Sequence, residues 1–443
     1  MSTAGKKLLV TACAFANTTE RAARRRGVGY FLPALFVDRF SNLGGIDKAV
    51  FAAQLDACRS FEDLTWANYW RGLAAEHTAR AETALGRLNG PRMADLLEGD
   101  PDTAAQRLRP VLSPAVEVFA ERRPENAADL VASFTGRHPE YGDAAVAIDA
   151  LVKAMTYLFA ASWPGWTPRR LAAYRDSRRI FDVLLHALGP AMGLDVERLE
   201  IRVDDETVTA CMALPRSADP VPAVLVTNGL EGTTQEVVMP VLRLRDRGMA
   251  MIMMEMPGTF AYRKPLSVDS ERIYRAVLDH IVADPRIDAG RIGIMGLSFG
   301  AHWSTRMAAR DGRLKAAVSN GGPYHRSFQV SGAFGMPEIM LSTLRNTTGA
   351  KSLLGLGRKL RAFSIRDLYS EIAIPLLVIN GDTDTLISTR DSVDLAEAAP
   401  LGELKLYPHD DHCAMGHYSE WMDYSLGWLA HKLHAHSAKH TRA

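Results

Sequence analysis

The chain has 443 residues, 47% of them hydrophobic and 23% charged, with a net charge of +1, the profile of a soluble globular protein of about two or three domains. A near-zero charge gives no electrostatic reason to expect nucleic acid or an anionic membrane as partner. The four scattered cysteines, Cys13, Cys58, Cys211 and Cys413, form no Cys-x-x-Cys pair, which argues against a disulfide framework or zinc site and fits a reducing, cytoplasmic compartment.

At the start of the chain, Lys6-Lys7 and the apolar run 8–16 resemble a short signal peptide. The run is short and leads into the basic stretch 21–26, so it reads as a first helix. Up to about Gly193 apolar residues recur three and four apart, predicting helices over 66–88, 104–120, 127–134, 144–161 and 168–188. Asp102 and Asn126 stand where N-caps belong, Pro190 and Gly193 stand near a stop, and Pro164-Gly165 separates the last two helices. These patterns predict an all-helical N-terminal domain over 1–195. No run is expected to reach the ~20 apolar residues of a membrane span.

From Leu199 the texture changes. Short apolar runs predict strands at 199–203, 207–213, 223–227, 249–254, 291–295, 316–319, 375–380 and 403–406. The first two read as an antiparallel hairpin around Asp204-Asp205-Glu206. The later ones alternate with helices at 235–247, 270–283, 301–310, 389–398 and 419–436, the rhythm of parallel βα units. The predicted fold class is α/β, a mostly parallel doubly wound sheet over 196–443. An insert at about 323–367 breaks the rhythm and carries Tyr324, Phe328, Phe334, Met336, Met340 and Leu344. It reads either as a cover over a site or as surface helices with apolar undersides. The methionines Met249, Met251, Met253, Met254 and Met256 punctuate one strand and its following turn, a pattern more often of core than of pocket.

The feature that points to chemistry is Gly296-Leu297-Ser298-Phe299-Gly300. It follows a strand pattern and opens a helix pattern, the context of a nucleophile elbow in an α/β-hydrolase fold. Its glycines let strand and helix approach closely around a strained serine, and the helix N-terminus supplies unpaired N–H groups beside the serine oxygen. The fold then needs an acid and a histidine, in that order. The strand at 375–380 ends in Gly381-Asp382-Thr383-Asp384, and the next leads into His409-Asp410-Asp411-His412-Cys413.

The C-terminal half resembles the α/β-hydrolase family that holds 2,6-dihydroxypseudooxynicotine hydrolase, the fungal pigment-shortening hydrolases and the FrsA-like esterases. The matching residues are Asn228-Gly229-Leu230-Glu231-Gly232-Thr233-Thr234-Gln235-Glu236, the stretch from Asp284-Pro285-Arg286-Ile287-Asp288 through Gly300, Gly381-Asp382-Thr383-Asp384, and Asp411-His412-Cys413. The helical half is similar to the domain that precedes the hydrolase core in that family, most of all over 70–85. The resemblance implies hydrolysis of an ester, a thioester or, in some members, the C–C bond of a β-diketone-like or polyketide-like ketone. Relatives that cleave C–C bonds use an extra carboxylate some distance after the nucleophile. Here that stretch, Tyr324-His325-Arg326-Ser327-Phe328-Gln329, lacks an acid, and the next is Glu338.

The expected roles follow. Ser298 is the nucleophile, with His412 as its base and His409 and His417 as rivals. Asp384 orients the base, Asp382 being the alternative acid and the better turn-former. The backbone N–H groups of Phe299 and Leu230 are expected to form the oxyanion hole. Glu231 and Glu236 are expected to line the pocket or cap the helix that follows. Tyr262 and Arg263, after Pro257-Gly258, and Tyr324 and His325, after the sixth strand, are further substrate-binding candidates at the carboxyl ends of strands. No metal or cofactor is expected, since Gly355-Leu356-Gly357 lacks the strand and spacing of a nucleotide fingerprint. The expected partner is a small-molecule acyl or ketone substrate, with a homodimer possible through the helical half. Acyl transfer by the same triad and a non-catalytic binding role remain alternative readings.

Overall fold

The computed structural model describes residues 3–33, 35–260, 262–329, 332 and 335–440. Its strands are β1 Leu194–Val203, β2 Glu206–Pro215, β3 Val221–Thr227, β4 Ala250–Met254, β5 Ile287–Leu297, β6 Leu314–Asn320, β7 Leu376–Gly381 and β8 Gly402–Tyr407. They form one sheet in the order β1-β2-β4-β3-β5-β6-β7-β8. β1 and β2 make the antiparallel hairpin, β2 runs antiparallel to β4, and every other neighbouring pair is parallel.

The helices that precede the sheet are α1 Thr3–Ala16, α2 Thr19–Arg26, α3 Leu35–Gly44, α4 Lys48–Ala57, α5 Asp63–Arg87, α6 Met93–Glu98, α7 Pro101–Leu112, α8 Glu117–Ala120, α9 Leu130–Arg137, α10 Gly142–Ser162 and α11 Pro168–Leu188. Between strands run α12 Thr234–Val241, α13 Glu271–Ala283, α14 Phe299–Arg310, α15 Glu338–Thr348, α16 Leu353–Ala362 and α17 Thr389–Ala398, and α18 Tyr418–His440 follows β8.

Several expected boundaries move for identifiable reasons. The helix expected over 104–120 breaks after Leu112, where Pro114 has no N–H to continue the ladder. Asp100, not Asp102, caps α7 by accepting the Thr103 N–H at 2.8 Å, while Asp102 pairs with Arg198. Asn126 caps no helix; it accepts the Arg123 N–H in the turn before α9. The segment 139–162 holds an 18-residue stretch of mean hydropathy 1.6 and is long and apolar enough to cross a membrane, against the sequence expectation; 89% of that stretch is buried within the protein. Its apolarity is that of a central helix hydrophobic on all sides.

The sheet buries both faces. Val224, Val226, Met251, Met253, Met295 and Leu297 point one way and join a core continuous with Phe159, Ile180 and Leu184 of the helical half. Leu225, Ile252, Met254 and Ile294 point the other way, toward Val277 and Leu278 of α13 and Trp303 of α14. The methionines of β4 thus alternate between two cores, as a period of two requires. The two halves are also bolted by polar contacts. Glu255, directly after β4, accepts from the Tyr174 hydroxyl at 2.8 Å and Arg178 at 3.1 Å, both on α11.

Candidate active site

The elbow is built by close approach. A Cβ on Gly296 would stand 2.2 Å from the Gly300 carbonyl oxygen, and one on Gly300 would stand 2.3 Å from that of Asn228. Side chains at either position would force β5, α14 and the loop after β3 apart. Ser298 lies between them at φ 54°, ψ −126°, a strained conformation for a residue with a Cβ. Its amide is held by the Asn320 carbonyl at 2.7 Å. This arrangement lifts the hydroxyl above the carboxyl end of the sheet.

There it meets His412. The Ser298 Oγ lies 2.8 Å from His412 Nε2, and His412 Nδ1 lies 2.8 Å from Asp384 Oδ2. The His412 and Asp384 side chains are 3% and 0% exposed, so this relay is shielded from bulk water. Asp384 also accepts from Asn380 at 2.9 Å and from the Leu386 and Ile387 amides at 2.8 and 2.9 Å. Burial pushes its carboxyl upward, but His412 and these hydrogen bonds outweigh burial and hold it below the usual value. Burial pushes His412 downward. The Asp384 carboxylate, helped by Cys413, more than reverses that and raises the imidazole well above the usual histidine value.

The rival residues have other tasks. Asp382 Oδ1 accepts the His409 N–H, shaping the turn. His417 Nδ1 pairs with Asp410 at 2.7 Å, and Asp410 also accepts the His417, Gly416 and Asp411 amides, bracing the loop that carries His412.

The Phe299 N–H opens α14 and has no intrahelical acceptor. Leu230 stands on the loop beside it; a Cβ on neighbouring Gly229 would be 2.5 Å from Ser298 Cβ and 3.0 Å from the Phe299 amide nitrogen. Phe299 and the loop that carries Leu230 therefore flank the nucleophile.

Two cavities open at Ser298, and Leu230, Met340, Leu386 and His412 line both. One lies beneath the helical half, against Phe36, Arg39, Trp163 and Glu236. The other lies beneath the insert, against Phe328, Met336, Leu344 and Leu360. The insert thus contributes a wall of the site, and α1 and α2 brace it: Thr11 Oγ1 of α1 accepts the Gly335 N–H at 2.9 Å, and Glu338 accepts the N–H of Thr19 at the start of α2 at 3.2 Å. Phe334 lies outside the described residues.

Five expected pocket residues line neither cavity. Glu231 is buried and turns toward the helical half, where its carboxylate accepts the Gly165 N–H at 2.6 Å. Tyr262 donates to the Glu255 carbonyl at 3.1 Å, and Arg263 to the Asp205 carbonyl at 2.6 Å, because the loop after β4 folds back over the β1–β2 hairpin. Tyr324 is fully buried against Ser319, 2.6 Å away, and His325 bonds Ser364 at 2.7 Å. Asp391 explains the last two. Its carboxylate accepts the amides of Tyr324, His325, Arg326 and Ser327, fixing a turn that presents Ser327 and Phe328 to the cavity instead. Sequence reasoning missed Arg39; its only local signal was a charged residue beside Phe36, Val37 and Phe40. Among the described residues no three His, Cys, Asp or Glu side chains are gathered so that they could hold a metal ion.

Comparison with known proteins agrees with this architecture. The family model described as "Esterase FrsA-like" matches residues 137–433. Esterase FrsA of Photobacterium profundum is 26% identical over 311 residues, spanning 64% of this chain and 71% of that protein. The 2,6-dihydropseudooxynicotine hydrolase of Paenarthrobacter nicotinovorans is 28% identical over 236 residues, spanning 52% of this chain and 63% of the relative. The crystal structure of 2,6-dihydroxy-pseudo-oxynicotine hydrolase superposes with a TM-score of 0.63 at 22% identity, covering 90% of this chain and 96% of the other, a likeness of fold. An elbow serine on a mostly parallel sheet, behind a helical region and within a family match over residues 137–433, places the chain in the FrsA-like esterase family, as a hydrolase of the α/β-hydrolase fold.

Proposed function

We propose that the protein is a metal-independent serine hydrolase that works through an acyl-enzyme. The observation that carries this reading is the unbroken relay from Asp384 through His412 to Ser298, with 2.8 Å at each step. His412 takes the Ser298 proton as the oxygen attacks a carbonyl carbon, then delivers it to the leaving group. Asp384 keeps Nδ1 protonated and stabilises the imidazolium formed on the way. The N–H groups of Phe299 and Leu230 receive the developing oxyanion. Water, deprotonated by His412, then releases the acyl group from Ser298.

The substrate is a small molecule with an ester, thioester or activated ketone carbonyl. An ester or thioester is favoured over a C–C bond by the fate of the nearby acids: Glu338 is engaged with Thr19, and Glu236 is neutralised by Arg39. Labelling with a fluorophosphonate followed by peptide mass mapping tests the mechanism. Label is expected on Ser298 and absent from Ser298→Ala; full ester turnover by folded Ser298→Ala would overturn the reading.

A further inference from the structure

Arg39 reaches the catalytic cavity from α3, and its guanidinium is only partly used by the protein. Nε donates to Glu236 Oε1 at 2.5 Å; Nη2 donates to Glu236 Oε2 at 2.8 Å and to the Glu231 carbonyl at 2.9 Å. Nη1 has no acceptor among the described residues. The side chain is 10% exposed, and its plane rests over the Phe159 and Phe40 rings, 5.0 and 5.6 Å from their centroids. This is a nine-tenths buried group with two N–H donors left over, on the wall of a cavity that Ser298 also lines.

Leftover donors in such a place discriminate. Water satisfies them while the cavity is empty. An arm of substrate that enters expels that water, and the donors then go unpaired unless the arm brings an acceptor. The sign of the acceptor follows from the surroundings. Glu236 already matches the guanidinium charge, so a carboxylate arriving at Nη1 would place two anions around one cation in a poorly hydrated space. A neutral oxygen, as in a ketone, ether, amide or hydroxyl, carries no such cost. The second cavity is mainly apolar and has no charged side chain apart from the catalytic His412: Phe328, Met336, Leu344 and Leu360 face the other side of Ser298, and the polar residue among them, Ser327, has its hydroxyl oxygen engaged by the Ser388 N–H.

We infer that Arg39 is a specificity-determining residue, and that the enzyme selects two-armed carbonyl compounds. One arm is hydrocarbon and lodges under the insert; the other carries a neutral acceptor oxygen that Arg39 Nη1 binds. This inference rests on the serine-hydrolase reading above.

Phosphonofluoridates test it directly, because phosphorus carries two arms and reaction at Ser298 needs no knowledge of the natural substrate. One arm is held as a hexyl chain. The other is a matched chain with or without a ketone, moved along a short series of positions, plus one member ending in a carboxylate. Rates of Ser298 modification are read by intact mass. The wild type is expected to react about tenfold or more faster with the best ketone member than with its hydrocarbon twin. That ratio is expected to fall to about one in Arg39→Met. Arg39→Lys, which keeps the charge but vacates the Nη1 position, is expected to lose it too and serves if Arg39→Met does not fold. Each ratio is internal to one variant, so a general loss of reactivity does not move it. No ketone preference at any position, a preference kept in either variant, or a preference for the carboxylate would overturn the inference while the hydrolase reading stands. Absence of label on Ser298 from every probe would overturn the hydrolase reading, and the inference with it.

Discussion

A Cβ on Gly300 would stand 2.3 Å from the carbonyl oxygen of Asn228. That approach joins the first turn of α14 to the loop after β3 and so holds Phe299 close to the loop that carries Leu230. Gly300→Ala is expected to lower stability by about 1–3 kcal/mol through overpacking. It is also expected to reduce kcat/KM on an activated ester by about a hundredfold, because the proposed oxyanion donors would separate. Thermal unfolding and ester kinetics check the two effects independently. A variant with wild-type kinetics would show that the elbow tolerates a wider gap.

The pH profile follows from His412. In the proposed mechanism only the neutral imidazole accepts the Ser298 proton, so activity is expected to fall as pH drops through the His412 pKa. Asp384 raises that pKa well above the ordinary histidine value. The acid limb of kcat/KM is therefore expected at a higher pH than an unperturbed histidine would give, near 6.5. Removing the Asp384 charge is expected to shift the limb toward lower pH. A limb below the ordinary histidine range in the wild type would contradict the assignment of the base.

The two acids after β7 separate by substitution. Asp384→Asn leaves an amide where the histidine tautomer needs an acceptor, and kcat is expected to fall by at least about 10³-fold. Asp382 holds a turn through the His409 amide, so Asp382→Asn is expected to retain most of kcat and to lose at most about 1 kcal/mol of stability. Comparable losses of kcat in the two variants would mean that the acids share the role.

The fold was legible where the deciding information is local. Each strand, β1 to β8, was expected from a continuous apolar run or alternation, and the β1–β2 hairpin from its polar turn. Ser298, Asp384 and His412 were legible because the fold fixes their order along the chain, and the structure brings them into contact. Side-chain direction in loops was not. Tyr324 and His325 stand two residues or fewer from Pro323, a cavity residue, yet face away because Asp391, far along the chain, binds their amides. Arg39 was illegible for the same reason. Its partners Glu231 and Glu236 belong to a distant part of the chain, and helical periodicity in α3 carries no hint of them.

Glu231 offers a sign-definite test of how the halves are joined. Burial raises its carboxyl to about 7, although the Gly165 amide, Arg39 and Arg170 pull the other way. A carboxyl whose folded pKa exceeds its unfolded value is bound more tightly by protons in the native state. Its ionisation therefore erodes stability as pH rises from the unfolded value toward about 7. Glu231→Gln keeps an acceptor for the Gly165 N–H and cannot ionise. The variant is expected to match the wild type near pH 4.5 and to become the more stable of the two as pH rises, by up to roughly 3 kcal/mol above pH 7. Denaturant unfolding of both proteins across that range checks it. A gap that stays constant with pH, or that closes as pH rises, would mean that Glu231 is already ionised throughout and is held by Arg39 and Arg170 as an ion pair.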